Sequence, residues 1–124
     1  MKIFVYGTLK QNYWNNRLLA GATFLGEAFT EKRYTMLGSG VPYILPNPEG
    51  LPVKGEIFEI DEHKHLPALD RLEGHPSGYT RTTIEARLVS NGELVQTDIY
   101  EMLHQMGRID GADKPSKGYY EWNY

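Results

Sequence analysis

The chain has 124 residues, a net charge of -3 and no cysteine. That length suits one domain built around one core. The missing cysteines exclude disulfides, thiolate metal sites and thiol nucleophiles, and the mild negative charge gives no general attraction to nucleic acid or to an anionic membrane.

Residues 2–6 (KIFVY) are β-branched and aromatic and predict a buried strand. The run is too short for a signal segment or a membrane span, so a cytoplasmic protein is the expectation. The strand stops at Gly7-Thr8. Residues 12–20 (NYWNNRLLA) predict a short helix ending near Gly21, and ATFLGEAF and RYTML predict two strands around the polar turn TEK. Residues 38–52 contain four of the seven prolines and predict one long loop. In VKGEIFEID, Val53, Gly55, Ile57 and Glu59 alternate with Glu56, Phe58 and Ile60, a strand pattern.

DEHKHLPALDRLEG is the best helix candidate, with Leu66, Leu69 and Leu72 as its core stripe and Gly74 as its stop. Proline is costly inside a helix and tolerated at its first position, so the main helix is expected to begin near Pro67, after a short turn at 62–65. Then YTRTTIEARLV and ELVQTDIYEML flank Ser90-Asn91-Gly92, a hairpin signal. The tail carries four aromatics in its last six residues and is expected to dock on the body. These elements give an α+β domain spanning 1–124: a mostly antiparallel sheet or barrel with one principal helix.

Two features carry chemistry. A strand ending in Gly7-Thr8 leaves backbone amides unobstructed, and such a turn can cradle a carboxylate or phosphate; a plain tight turn is the simpler reading of the residues alone. Glu73 lies four residues beyond Leu69 and so on or near the core stripe, where burial would raise its pKa. Alternatively it is a boundary residue that reaches solvent or pairs with Arg71 or Arg81.

Other candidates are weaker. His63-x-His65 sits where its rings diverge, and with His75 and His104 it lacks evident further ligands, so no metal is expected. Gly38-Ser39-Gly40 lacks the setting of a nucleotide loop. Asp110, Asp113 and Glu121 do not have calcium-loop spacing. The terminal aromatics come without the basic groove of a nucleic-acid platform.

Tyr6-Gly7-Thr8-Leu9, VKGEIFEID and the segment from LDRLEG to YTR, in that order, resemble the gamma-glutamylcyclotransferase-like family, nearest to its gamma-glutamylamine cyclotransferase and plant AIG2-like branches. The resemblance runs from Met1 to about Leu103. It implies a small mixed barrel and a cofactor-free enzyme that cyclises the γ-glutamyl group of a small amine or peptide to 5-oxoproline. It also implies that Tyr6, Gly7, Thr8 and Leu9 form the substrate loop, that Glu73 is the catalytic glutamate and that Tyr79 borders the pocket. Gly55-Glu56 and Tyr100 fit the pattern as structural residues. The alternative is a non-catalytic relative that binds a carboxylated ligand or a protein partner.

Overall fold

The computed structural model describes residues 1–37, 42–75, 78–102 and 115–122. In chain order these form strands β1 (Lys2–Val5), β2 (Thr23–Thr30), β3 (Tyr34–Leu37), β4 (Tyr43–Pro46) and β5 (Lys54–Glu59), helix α1 (Glu62–Glu73), then β6 (Thr80–Leu88) and β7 (Leu94–Glu101). A short 3₁₀ helix, Trp14–Leu19, follows the first strand. Among the described residues no helix is long and apolar enough to cross a membrane.

Five strands close into a barrel in the order β1-β5-β2-β6-β7. Neighbours are antiparallel except at the seam, where β1 runs parallel to β7 with Ile3 opposite Asp98 and Phe4 opposite Ile99. The expected mixed barrel with one main helix is the architecture observed.

The apolar run in β1 reflects burial on both faces. Phe4 points into the barrel with Ile57, Ile84 and Ile99. Ile3 and Val5 point outward to meet Phe58, Leu69 and Tyr100 beneath α1. Strand β5 divides in the same way, Ile57 inward with Val53 just before the strand and Phe58 outward, which explains why apolar residues occur on both of its sides. Gly55 is required by close packing, because a Cβ there would lie 2.4 Å from the Val5 carbonyl oxygen.

Three expectations are corrected. The 38–52 stretch is not one loop, since Tyr43–Pro46 forms β4 and pairs with β3 in a separate two-stranded ribbon. Pro42 precedes this short strand and Pro46 is its last residue, opposite Tyr34, so no proline falls in its interior. The helix begins at Glu62, not near Pro67, because the Asp61 carboxylate accepts from the amides of His63 (2.9 Å) and Lys64 (3.2 Å) and starts it there. Pro67 then removes only the bond its amide would have made to the carbonyl of exposed His63.

The buried stripe is also shifted. Leu69 is buried and Leu66 packs against the same cluster, as expected, but Leu72 is 43% exposed and His65 takes its place in the interior. A three-residue repeat drifts around a helix faster than a four-residue one, so the buried line runs through His65, Leu69 and Glu73. His65 is committed there: its Nδ1 accepts the Asp61 amide at 3.0 Å and its Nε2 lies 2.8 Å from the Ala20 carbonyl. With Nδ1 accepting from an amide, Nε2 is the nitrogen that donates to the carbonyl. His104, Asp110 and Asp113 lie outside the described residues.

The hairpin forms as expected, with Arg87 opposite Leu94 at its closed end and Gly92 at φ 71°. The described part of the tail packs on the body. Tyr120 is buried and bonds backbone to backbone with Pro52 and Lys54, and the Trp122 ring lies 5.1 Å from that of Tyr13.

Candidate active site

The end of β1 and the end of α1 meet over the barrel seam. Between them lies a narrow cleft lined by Phe4 to Leu9, Pro42, Glu73 and Tyr100, with about 360 Å³ of free space including its open mouth. Of the residues singled out in the sequence, Tyr6, Gly7, Thr8, Leu9 and Glu73 thus share one cavity. Tyr79 stands behind its wall: its hydroxyl donates to the Pro42 carbonyl at 3.0 Å.

The loop after β1 is built from both sides. The Lys10 amide closes a turn onto the Gly7 carbonyl at 3.1 Å, and the following 3₁₀ helix holds the turn through Asn15 and Asn16. Asn15 Nδ2 donates to the Thr8 hydroxyl oxygen and Asn16 Nδ2 to the Leu9 carbonyl, each at 2.9 Å. Because Thr8 accepts from Asn15, its own hydroxyl hydrogen is left to donate elsewhere. Among the described residues, the amides of Gly7, Thr8 and Leu9 have no acceptor. Gly7 keeps this wall thin, since a Cβ there would stand 3.0 Å from the Pro42 ring.

Glu73 occupies the last position of α1, which ends because Gly74 adopts a left-handed φ of 68°. The chain then folds back, with the Gly78 amide on the Gly74 carbonyl and the Tyr79 amide on that of Glu73. Among the described residues the Glu73 carboxylate receives no hydrogen bond, and burial pushes its pKa from 4.5 up to about 7. Tyr6 and Tyr79 are raised by burial first and by the nearby charge of Glu73 among their further causes. The Tyr6 hydroxyl donates to the Tyr100 carbonyl at 2.8 Å, tying β1 to β7 at the floor of the cleft.

The reading of Glu73 as a partner of Arg81 is corrected. Arg81 Nε donates to Asp70 at 3.2 Å and its NH1 to Asp98 at 3.1 Å. Arg71 lies exposed on the helix. Tyr100, expected to be structural, lines the cleft and is also held, its hydroxyl donating to Asp70 at 2.5 Å. Pro42 and the Asp70–Arg81–Asp98 set escaped the sequence reading. Periodicity places residues on faces, and it carries no signal for pairs joined across elements.

The sequence pattern of the family described as gamma-glutamyl cyclotransferase, AIG2-like, matches residues 3–122. The chain belongs to that family. A candidate gamma-glutamylcyclotransferase of Methanocaldococcus jannaschii is 37% identical over 93 residues, 74% of this chain and 77% of that protein. The gamma-glutamylaminecyclotransferase of Rattus norvegicus is 36% identical over 113 residues, covering 79% of this chain and 75% of its own. The crystal structure of an AIG2-like protein from Mus musculus superposes with a TM-score of 0.73 at 34% identity, over 82% of this chain and 76% of that one. Together these similarities support an enzyme of the gamma-glutamylcyclotransferase type.

Proposed function

We propose that this protein cyclises the γ-glutamyl group of a small γ-glutamyl amine or peptide to 5-oxoproline and releases the free amine, with Glu73 moving the protons. One observation carries this reading: a largely buried carboxylate and a turn of backbone amides face the same cleft, and among the described residues the carboxylate lacks a hydrogen-bond donor and the amides lack acceptors.

In the reaction the substrate's own α-amino nitrogen attacks its side-chain amide carbonyl. A new C–N bond closes the five-membered ring, and the bond from that carbonyl carbon to the leaving nitrogen breaks. From its ammonium form the α-nitrogen gives up two protons on becoming the ring amide, and the departing amine takes two and leaves as an ammonium, so a single carboxyl group can relay them in turn as base and then as acid. No water and no cofactor enters the balance.

The turn at Gly7-Thr8 anchors the substrate α-carboxylate through backbone amides and the Thr8 hydroxyl. Holding the chain curled replaces a search among open conformers, an effect worth several kcal/mol (~3–7) in oriented intramolecular reactions. Glu73 takes the ammonium proton. With an amino group near ~8 and Glu73 at about 7, the transfer is uphill by roughly 1.4 kcal/mol, against about 5 kcal/mol for an ordinary glutamate. Tyr79, through Pro42, supports the wall that faces the loop.

The experiment is 5-oxoproline release from γ-glutamyl amines, γ-glutamyl dipeptides and glutathione. Release from one class names the leaving group. If the folded protein releases nothing from any of them, the reading of a carboxylate-binding relative without catalysis takes its place.

A further inference from the structure

Glu73 is set by more than its own burial. The helix that carries it also carries Asp70, one turn earlier, and Asp70 is gripped from two strands. Arg81 on β6 donates to it through Nε at 3.2 Å, and Tyr100 on β7 donates through its hydroxyl. Arg81 and Tyr100 are direct cross-strand partners. The second arm of the guanidinium reaches Asp98 on β7 at 3.1 Å, and Asp98 also accepts the Thr83 hydroxyl at 2.7 Å.

We propose that Arg81 is a positioning residue for Glu73: its fork pins the end of α1 to the barrel through Asp70 and Asp98, and it offsets the charge of Asp70, three residues before Glu73 on the same helix. The catalytic part of this inference rests on the reading of Glu73 as the base. Its structural and electrostatic part stands without it.

The titratable and charged groups around Glu73 are few in kind. Tyr6 faces it from β1 and Tyr100 from β7, His75 and Tyr79 come from the chain beyond the helix, and Asp70 lies on the helix itself. The tyrosines are held neutral by burial. His75 accepts the Arg81 amide at Nδ1 (3.1 Å). Among the charged groups Asp70 is the anion on the same helix and Arg81 the cation that offsets it, with Asp98 on the guanidinium's other arm, while Glu101, which also acts on Tyr6, is paired with Lys32. Residues three apart on a helix are neighbours about 5–6 Å apart at Cβ, so an uncompensated Asp70 would act strongly on Glu73. Burial is the resolved cause of the raised Glu73 pKa.

The geometry makes opposite demands on variants that remove charge and variants that keep it. Arg81→Gln leaves Asp70 uncompensated, and a like charge raises a carboxyl pKa, so the Glu73 midpoint should move up by about 0.5–1 on the pH scale. Adding Asp70→Asn keeps an oxygen for the Tyr100 hydroxyl and removes the charge, so the midpoint should return to within about 0.3 of wild type. Arg81→Lys keeps the charge and loses the fork, so it should leave the midpoint near wild type while lowering kcat about 3- to 10-fold through a looser helix end.

The test is a ¹³C-carboxyl NMR titration of Glu73 in wild type and these three variants, with kcat and KM for 5-oxoproline release measured in parallel. The upward move in Arg81→Gln, its reversal in the double variant and a fall in kcat at near-constant KM support the inference. A folded Arg81→Gln whose Glu73 midpoint stays within about 0.2 of wild type overturns it. So does a double variant that fails to reverse the shift. Because the titration needs no turnover, a failure of the cyclotransferase reading would show separately, as absent 5-oxoproline with the NMR shifts intact.

Discussion

Two glutamates lie at the same end of the barrel, and the molecule treats them in opposite ways. Glu101, the last residue of β7, is 1% exposed and fully engaged: the Tyr34 hydroxyl donates to it at 2.6 Å and Lys32 Nζ at 3.0 Å. Those donors belong to β3 and to the turn before it, so Glu101 anchors the β3–β4 ribbon to the barrel. The Met102 amide, bonded to the Ile44 carbonyl at 2.8 Å, adds a backbone tie. Glu73 is less buried but receives no donor among the described residues, and its pKa rises to about 7. A buried carboxylate whose oxygens are met by donors ties elements together and stabilises a fold. An unsatisfied one holds its proton more tightly and is poised to exchange it near neutral pH.

The contrast is sharpened first at Glu101. Glu101→Ala strands the Tyr34 hydroxyl and Lys32 and should destabilise the protein by about 2–4 kcal/mol in urea unfolding. A loss below about 0.5 kcal/mol would mean that the ribbon does not depend on this anchor.

Glu73→Gln should have the reverse sign. Because the folded-state pKa is raised, the folded protein binds the proton more tightly than the unfolded chain, and stability is lost as pH climbs from about 4.5 to about 7. Glutamine mimics the protonated form, so the variant should be more stable than wild type by roughly 1–3 kcal/mol at pH 8, with the gain vanishing near pH 4. Parallel stability curves for the two proteins across that range would contradict a raised pKa.

Smaller effects fall on the opposite wall. Gly7→Ala places a Cβ 3.0 Å from the Pro42 ring and narrows the cleft. KM should rise about 3- to 10-fold, corresponding to roughly 1 kcal/mol, while the melting temperature changes little. Tyr79→Phe removes one hydrogen bond to Pro42 and should cost about 0.5–1.5 kcal/mol of stability with Glu73 still titrating near its wild-type value. A large change in that titration would place Tyr79 in direct contact with the carboxylate.

What was legible in the sequence follows from physical reach. β1, β5 and the β6–β7 hairpin announce themselves because apolar alternation and an Asn-Gly turn are local signals. β4 was hidden because a four-residue strand that follows one proline and ends in another resembles a loop until its partner β3 is known. The helix and the core-facing Leu66 and Leu69 are legible from the leucine repeat, but Leu72 turns outward and His65, held inside by two hydrogen bonds and not by hydrophobicity, carries no apolar signal. The placement of Glu73 on the buried side survived because it depended on its four-residue distance from Leu69. The Gly7 turn and Glu73 stood out by residue type and by family resemblance. Asp70, Arg81 and Asp98 did not, because their meaning lies in contacts between a helix and two strands.

The central claim is that Glu73 is the proton-transferring group of a cyclisation at this cleft. Its most direct test is the pH dependence of kcat/KM for 5-oxoproline release, in wild type and in Glu73→Gln. The account expects an acidic limb in wild type near pH 7 and a loss of about 10²–10⁴-fold in a folded Glu73→Gln protein. An acidic limb near the ordinary glutamate value of about 4.3, or activity that survives the substitution, would contradict it.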